Sequence, residues 1–594
     1  MSETPVTLVT PIRADRLNDL RQLLEPPGGG YAYRHSGIAW ERLAQVHFAS
    51  MVIVDAHGDG SAYLVLEASV DGTSGDFLHD LVELDRGTID RIYRHCVGYP
   101  EEPPNDNRDV CGYLSAHDAG AGTFYVGNPG RPVGQAIGER ALRRNLMERL
   151  DSIVSVPARA YLDGPPVAAR LARHVQDTPA MLWALRPSPT PFLVSYGRLV
   201  VIAAALLVAA AALSTALWIC GGAASTHPFC PAWLGSHGIA NVVTKFGAGV
   251  GGWLAVAFAR LVVAAVVIAL YIALDFPLPG LPGCALPALP ERGTQRSRYD
   301  TVCLMLLRFA IVAAIGLAAA WVVSTLADRL VHALAWGPIE WLGQLSWHTL
   351  ANSLVQPLEW LASVTFFLIV AALLLVVLLL ALGLVLAGSV EILDRWHRAT
   401  HRGLRDDRTD ATRPEPILQQ EIGFDTVQNH FASVTLIKEP RWVRRALLRF
   451  VLTAIDLAAR TIFNRGLLGG TPNIHFARWL IIDGGKRLLF LSNYDGGWDG
   501  YLSDFIQHSH VGLNAIWDNT RLADRIYPRA SFWFGKGALD ELRFKAYAGE
   551  SQIRTLVWYR GYENATVTEI DANTALRNSL TDLDALAESM TAGH

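Results

Sequence analysis

Residues 360–388 read WLASVTFFLIVAALLLVVLLLALGLVLAG, a stretch without a single charged side chain. Its length matches the ~20 helical residues needed to cross about 30 Å of hydrocarbon. Three further apolar runs precede it, at 193–219, 249–275 and 302–327. Together they predict four transmembrane helices in the middle of a chain of 594 residues. Hydrophobic residues make up 51% of the sequence and mean hydropathy is +0.23, both high for a soluble protein.

The arginines predict an orientation, because basic residues accumulate on the cytoplasmic side. Arg170, Arg173 and Arg186 precede the first run and Arg198 lies near its start; Arg292, Arg296 and Arg298 lie between the second and third; Arg395, Arg398, Arg402, Arg405 and Arg408 follow the fourth. The connections 220–248 and 328–359 carry only Lys245 and Arg329. The expectation is a multi-pass inner (cytoplasmic) membrane protein with both termini cytoplasmic. No apolar run resembling a signal peptide occurs in the first ~190 residues. Cys220 and Cys230 share the oxidising side, where a disulfide could join them. Arg308 sits near a span end, whereas Arg260 falls near mid-depth, where a charge is costly and often functional.

Other classes are disfavoured. A net charge of −4 supplies no field to recruit nucleic acid. Six cysteines without zinc spacing suggest neither a disulfide scaffold nor a metal centre.

The flanks of the apolar region repeat one another. VHFASMVIVD (46–55) matches IHFARWLIID (474–483), and EASVDGTSGDFLHDLV (67–82) matches LSNYDGGWDGYLSDFI (491–506). FYVGNPGRPVGQAIGERALRRNL (124–146) matches WYRGYENATVTEIDANTALRNSL (558–580), sharing Tyr125, Gly127 and Val133 with positions 434 further on. Three ungapped blocks in one order indicate an internal duplication. Period-two and period-3.6 patterning gives each copy a β-α-β-β-α-β order, the ferredoxin-like arrangement. In the second copy the strands are expected at 431–438, 474–483, 487–494 and 554–560, and the helices at 441–465 and 498–510. Asp71-Gly72 and Asp495-Gly496 are expected to turn the chain into the second helix of each copy, with the carboxylate at its N-terminus.

Paired units of this order resemble the dimeric α+β-barrel superfamily, and GGWDG (496–500) resembles the GxxDG stretch of dye-decolourising peroxidases. The resemblance implies two ferredoxin-like units packed as a pseudo-dimeric barrel, and haem as a cofactor. It implies Asp499 acting on peroxide, Arg478 stabilising the developing charge, and His475 and His47 contacting the haem. Histidines downstream of Gly500 are limited to His508, His510 and His594, a departure from that family. Strand alternation also puts Arg478 and His475 on opposite faces unless a bulge intervenes. His430 opens another strand of the second copy and is read as a coincidental repeat of the tetrapeptide.

The expected organisation is a ferredoxin-like unit at 1–155, a linker at 156–192, a four-helix transmembrane region at 193–388, a basic linker at 389–427, a second ferredoxin-like unit at 428–585 and a tail at 586–594. Segment 441–465 places Arg441, Arg444, Arg445, Arg449 and Arg460 on one arc and Val443, Leu447, Phe450, Ala454 and Leu457 on the other. Such a helix suits contact with anionic lipid of the bilayer, or simply covers its own sheet. No protein partner is indicated. Three functions stay open: a haem-binding, peroxidase-like oxidoreductase; a non-catalytic membrane-anchored sensor or scaffold for a small molecule; and a transporter or channel, disfavoured by few intramembrane polar groups.

Overall fold

The computed structural model describes residues 3–25, 37–154, 164–186, 188, 197 and 388–580, apart from short breaks at 59, 101–105, 402, 405–408, 410–412, 424–426 and 462–470. These residues belong to one unit made of 1–200 and 384–594, while 201–383 lies outside them. The first half-fold runs β1 (Glu3–Pro11), α1 (Leu17–Leu24), β2 (Val46–Val54), β3 (Tyr63–Asp71), α2 (Ser74–Tyr93), α3 (Asn107–Ala116), β4 (Thr123–Val126) and α4 (Val133–Val154). Helices α5 (Gly164–Asp177), α6 (388–400) and α7 (Glu415–Gly423) follow. The second half-fold runs β5 (Gln428–Ile437), α8 (Arg441–Thr461), β6 (Ile474–Ile482), β7 (Arg487–Asp495), α9 (Trp498–Trp517) and β8 (Thr520–Arg521). A short hairpin of β9 (Ala530–Ser531) and β10 (Gly535–Lys536) leads to α10 (Glu541–Glu550), β11 (Thr555–Arg560) and α11 (Val567–Ser579).

Two antiparallel sheets result, ordered β1-β3-β2-β11 and β4-β6-β7-β5-β8. Each contains a strand from the other half. β11 pairs with β2, setting Tyr559 opposite Ala49, and β4 pairs with β6, setting Tyr125 opposite Ala477. Neither half therefore closes its own sheet. Alternation along the strands gives each sheet two apolar faces. One face of the first sheet packs Leu8, Leu64 and Leu66 against Leu20, Phe77 and Leu114 of its helices. One face of the second packs Trp479, Leu488 and Phe490 against Leu448, Phe505 and Phe544. The remaining faces meet each other, with Val52, Val54 and Val65 against Leu480, Leu489 and Leu491.

These observations correct the sequence expectation. The fold is mixed α+β with two antiparallel sheets, and the exchanged strands replace the expected pair of self-contained ferredoxin-like units in a barrel. Sequence periodicity marks strands but carries no information on which distant strand pairs with which. Among the described residues no helix is long and apolar enough to cross a membrane. The expected four-helix transmembrane region and the multi-pass inner-membrane location find no support and are set aside. Hydropathy gives a run's apolar length without establishing a spanning helix. The four runs, apart from residues 197 and 388, lie outside the described residues, together with Arg260, Arg308, Cys220 and Cys230.

Candidate functional site

His47 and His475 occupy equivalent places on β2 and β6, and both stand at register shifts. The ladder slips between Val46 and Phe48 on one strand and between Ile474 and Phe476 on the other. A bulge breaks strict alternation and re-aims a side chain. The ring of His47 accordingly lies 5.1 Å from that of Phe476, and the ring of His475 lies 5.0 Å from that of Phe48. Both imidazoles thus enter the layer between the sheets, where Phe48 and Phe476 also meet.

Each histidine is backed by a carboxylate from the end of the neighbouring strand. His47 Nε2 lies 3.0 Å from Asp71 Oδ1, and His475 Nε2 lies 2.8 Å from Asp495 Oδ1. Facing a carboxylate, Nε2 carries the proton in both rings. The second oxygen of each carboxylate accepts a backbone N–H at a helix start: Val133 at 2.9 Å for Asp71 and Val567 at 2.8 Å for Asp495. These starts belong to α4 and α11, the helices that follow the exchanged strands. This corrects the expectation that the Asp-Gly pairs serve the second helix of each copy. Thr73 caps α2 in that role, and Gly497 stands at the N-cap position of α9. Burial alone would raise the Asp71 carboxyl, but the hydrogen bond and charge of His47, with the Val133 N–H, hold it below its ordinary range.

Two glycines complete the arrangement. Gly127 and Gly561 end β4 and β11 and donate N–H to His475 O and His47 O, each at 2.7 Å. A Cβ on Gly127 would stand 2.1 Å from Ile474 O, and one on Gly561 would stand 2.3 Å from Val46 O. Only glycine lets the exchanged strand come this close. The halves differ one residue later, where Asn128 corresponds to Tyr562. The Tyr562 hydroxyl lies at hydrogen-bond distance, 3.1 Å, from His47 Nδ1, while His475 Nδ1 is buried without a partner. His47, His475, Asn128, Arg131 and Tyr562 line a cavity with room for about one water molecule.

A second polar cluster lies in the same layer. Glu67 is buried, accepting from Ser50 Oγ at 2.8 Å, His430 Nε2 at 2.9 Å and Asn493 Nδ2 at 3.2 Å. Arg478 Nε is 3.3 Å from its other oxygen, and Arg478 NH1 donates to Val6 O, Thr7 Oγ1 and Ala68 O. Burial by itself would raise the Glu67 carboxyl; Arg478, His430 and Ser50 outweigh it and bring it down to about 2. His430 is therefore part of the buried polar core, on a strand not equivalent to those of His47 and His475.

The expected peroxidase constellation does not assemble. Asp499 is in the first turn of α9 with its side chain 82% exposed, 3.4 Å from Lys545 Nζ. Arg478 is committed to Glu67 and three β1/β3 acceptors. The cavity beside His47 and His475 has no room for a porphyrin, so these residues do not fit haem. GGWDG makes a turn instead: Gly496 has φ 83°, and the Trp498 N–H donates to Glu421 Oε1 at 2.6 Å. Haem and peroxidase chemistry are set aside. Helix α8 also differs from expectation, since Arg444 is fully buried with Leu448 and Leu452, while Trp442, Phe450 and Leu457 are exposed.

Glu67 and Tyr562 escaped the sequence reading, whereas Asp71 and Asp495 were read as helix N-terminal carboxylates without their histidine partners. The aspartates were visible as shared positions, but their histidine partners lie 24 and 20 residues away across a bulge. No family model matches the chain, and no curated protein and no solved structure matches it either, so the proposed kinship with the dimeric α+β barrels is withdrawn.

Proposed function

We propose that the chain is a non-catalytic scaffold whose duplicated core presents a surface for binding. The observation that carries this reading is the use of both histidine–aspartate pairs: each ties a bulged strand to the helix after the exchanged strand. The exposed side of α8 is the best-suited contact surface. Trp442, Phe450 and Leu457 stand out from it beside Arg441, Arg445 and Arg449. Aromatic rings and arginines in this combination favour an anionic lipid surface.

The absorption spectrum of full-length protein from haem-replete cells tests the scaffold reading. The expected spectrum is that of a colourless protein, with His475→Ala changing thermal stability alone. A Soret band that disappears in His475→Ala would contradict it.

A further inference from the structure

Helix α6 packs over the end of β5 and the start of α8, and a dense group of charges is buried beneath it. Lys438 Nζ, fully buried, donates to Asp394 Oδ1 at 2.6 Å and Asp518 Oδ1 at 3.2 Å. Asp394 Oδ2 accepts from Arg398 Nε at 2.7 Å. Arg444 is also fully buried. Its NH1 reaches Asp518 O at 3.5 Å and Asn519 Oδ1 at 3.2 Å, but its Nε and NH2 have no partner. The neighbouring His397 is fully buried too, stacked 4.2 Å from the His401 ring, and neither of its ring nitrogens has a partner.

Lys438 and Arg444, both fully buried, face the buried carboxyls of Asp394 and Asp518, and the partly exposed Arg398 adds a third positive charge at the edge of the group. A guanidinium edge buried without acceptors carries the desolvation cost of its unmade hydrogen bonds. The two unpartnered atoms of Arg444 are also the forked edge that binds a pair of oxygens side by side.

We propose that Arg444, with His397 beside it, is the seat of a phosphate-type oxyanion. The fork engages two oxygens, and a tetrahedral group offers a separate third oxygen to His397, which a carboxylate lacks. The bound oxygens take up the hydrogen bonds that the Arg444 edge leaves unmade under α6. The source is either free phosphate or the headgroup of a phospholipid, since both present the same group. The seat uses residues that the scaffold reading does not involve, so the two stand or fall separately. Burial, followed by the charges of Lys438, His401 and Arg444, pushes His397 down to about 3, which keeps it a neutral hydrogen-bonding partner near pH 7.

Thermal unfolding of the full-length protein tests the seat. Inorganic phosphate is titrated in one arm and a short-chain phosphatidic acid, below its micelle concentration, in the other, against chloride at matched ionic strength. A rise in Tm in either arm is expected, with apparent affinity roughly tenfold weaker in Arg444→Gln. A response to phosphate identifies the free ion as sufficient; a response to the lipid alone identifies the headgroup. If Arg444→Gln fails to fold, His397→Gln takes its place in the comparison. No response in either arm, or an undiminished response in the variant, overturns the proposal.

Discussion

Single residues at the strand exchange make sharp predictions. Gly127→Ala and Gly561→Ala each force a methyl into a backbone carbonyl, at 2.1 and 2.3 Å. Each should cost about 1–3 kcal/mol, seen as a fall in Tm. Gly500→Ala, within α9 and with open space around it, is the control and should leave Tm unchanged or slightly higher. Glu67 gives a pH prediction. Its folded value near 2 lies below its ordinary value of 4.5, so its stabilisation is complete above pH 4.5 and is lost as pH falls towards 2. Glu67→Gln should lose about 3–5 kcal/mol at neutral pH, because Arg478 is left buried without its charge partner. The variant should also show a shallower fall in Tm between pH 4.5 and 2 than the parent protein.

Among the elements, the exchanged strands and the helices after them act together. Asp71→Ala removes the acceptor for the first N–H of α4, and Asp495→Ala does the same for α11. Each should cost about 1 kcal/mol and speed amide hydrogen exchange at Val133 or Val567 respectively, leaving the other amide protected. Acceleration of both amides by either variant would show that the two sites are not locally separate. The α8 surface gives a further prediction. Binding to vesicles of phosphatidylcholine with phosphatidylglycerol should have a salt-sensitive component, reduced by roughly 1 kcal/mol for each of Arg445→Gln and Arg449→Gln. A component insensitive to both substitutions would remove α8 from the contact.

The elements themselves were largely legible in sequence. The strands expected at 474–483 and 487–494 span Ile474–Ile482 and Arg487–Asp495, and the helix expected at 441–465 spans Arg441–Thr461. Alternation and helical periodicity are local signals, and local structure follows them. What pairs with β4 and β11 was not legible, because strand pairing across more than 350 residues leaves no periodic trace. The site was half legible: His47 and His475 stood out by repetition, but period-two reasoning turned His475 away from Arg478. The bulge at each histidine defeats that reasoning, and no residue type in VHFAS or IHFAR announces a bulge. GGWDG misled for the opposite reason, since Gly and Asp serve turns as well as active sites.

For the whole molecule, the central claim is that the two half-folds complete each other by exchanging strands. The most direct measurement is disulfide trapping in the full-length chain with paired cysteines at four positions. The exchanged ladders set Tyr559 opposite Ala49 and Tyr125 opposite Ala477. Cysteine pairs at 49/559 and at 125/477 should therefore oxidise to disulfides identifiable by peptide mapping. Pairs at 49/125 and 477/559, which join each strand to its own half, should stay reduced. Crosslinks at 49/125 and 477/559, with none at 49/559 or 125/477, would show that each half closes its own sheet and would contradict this account.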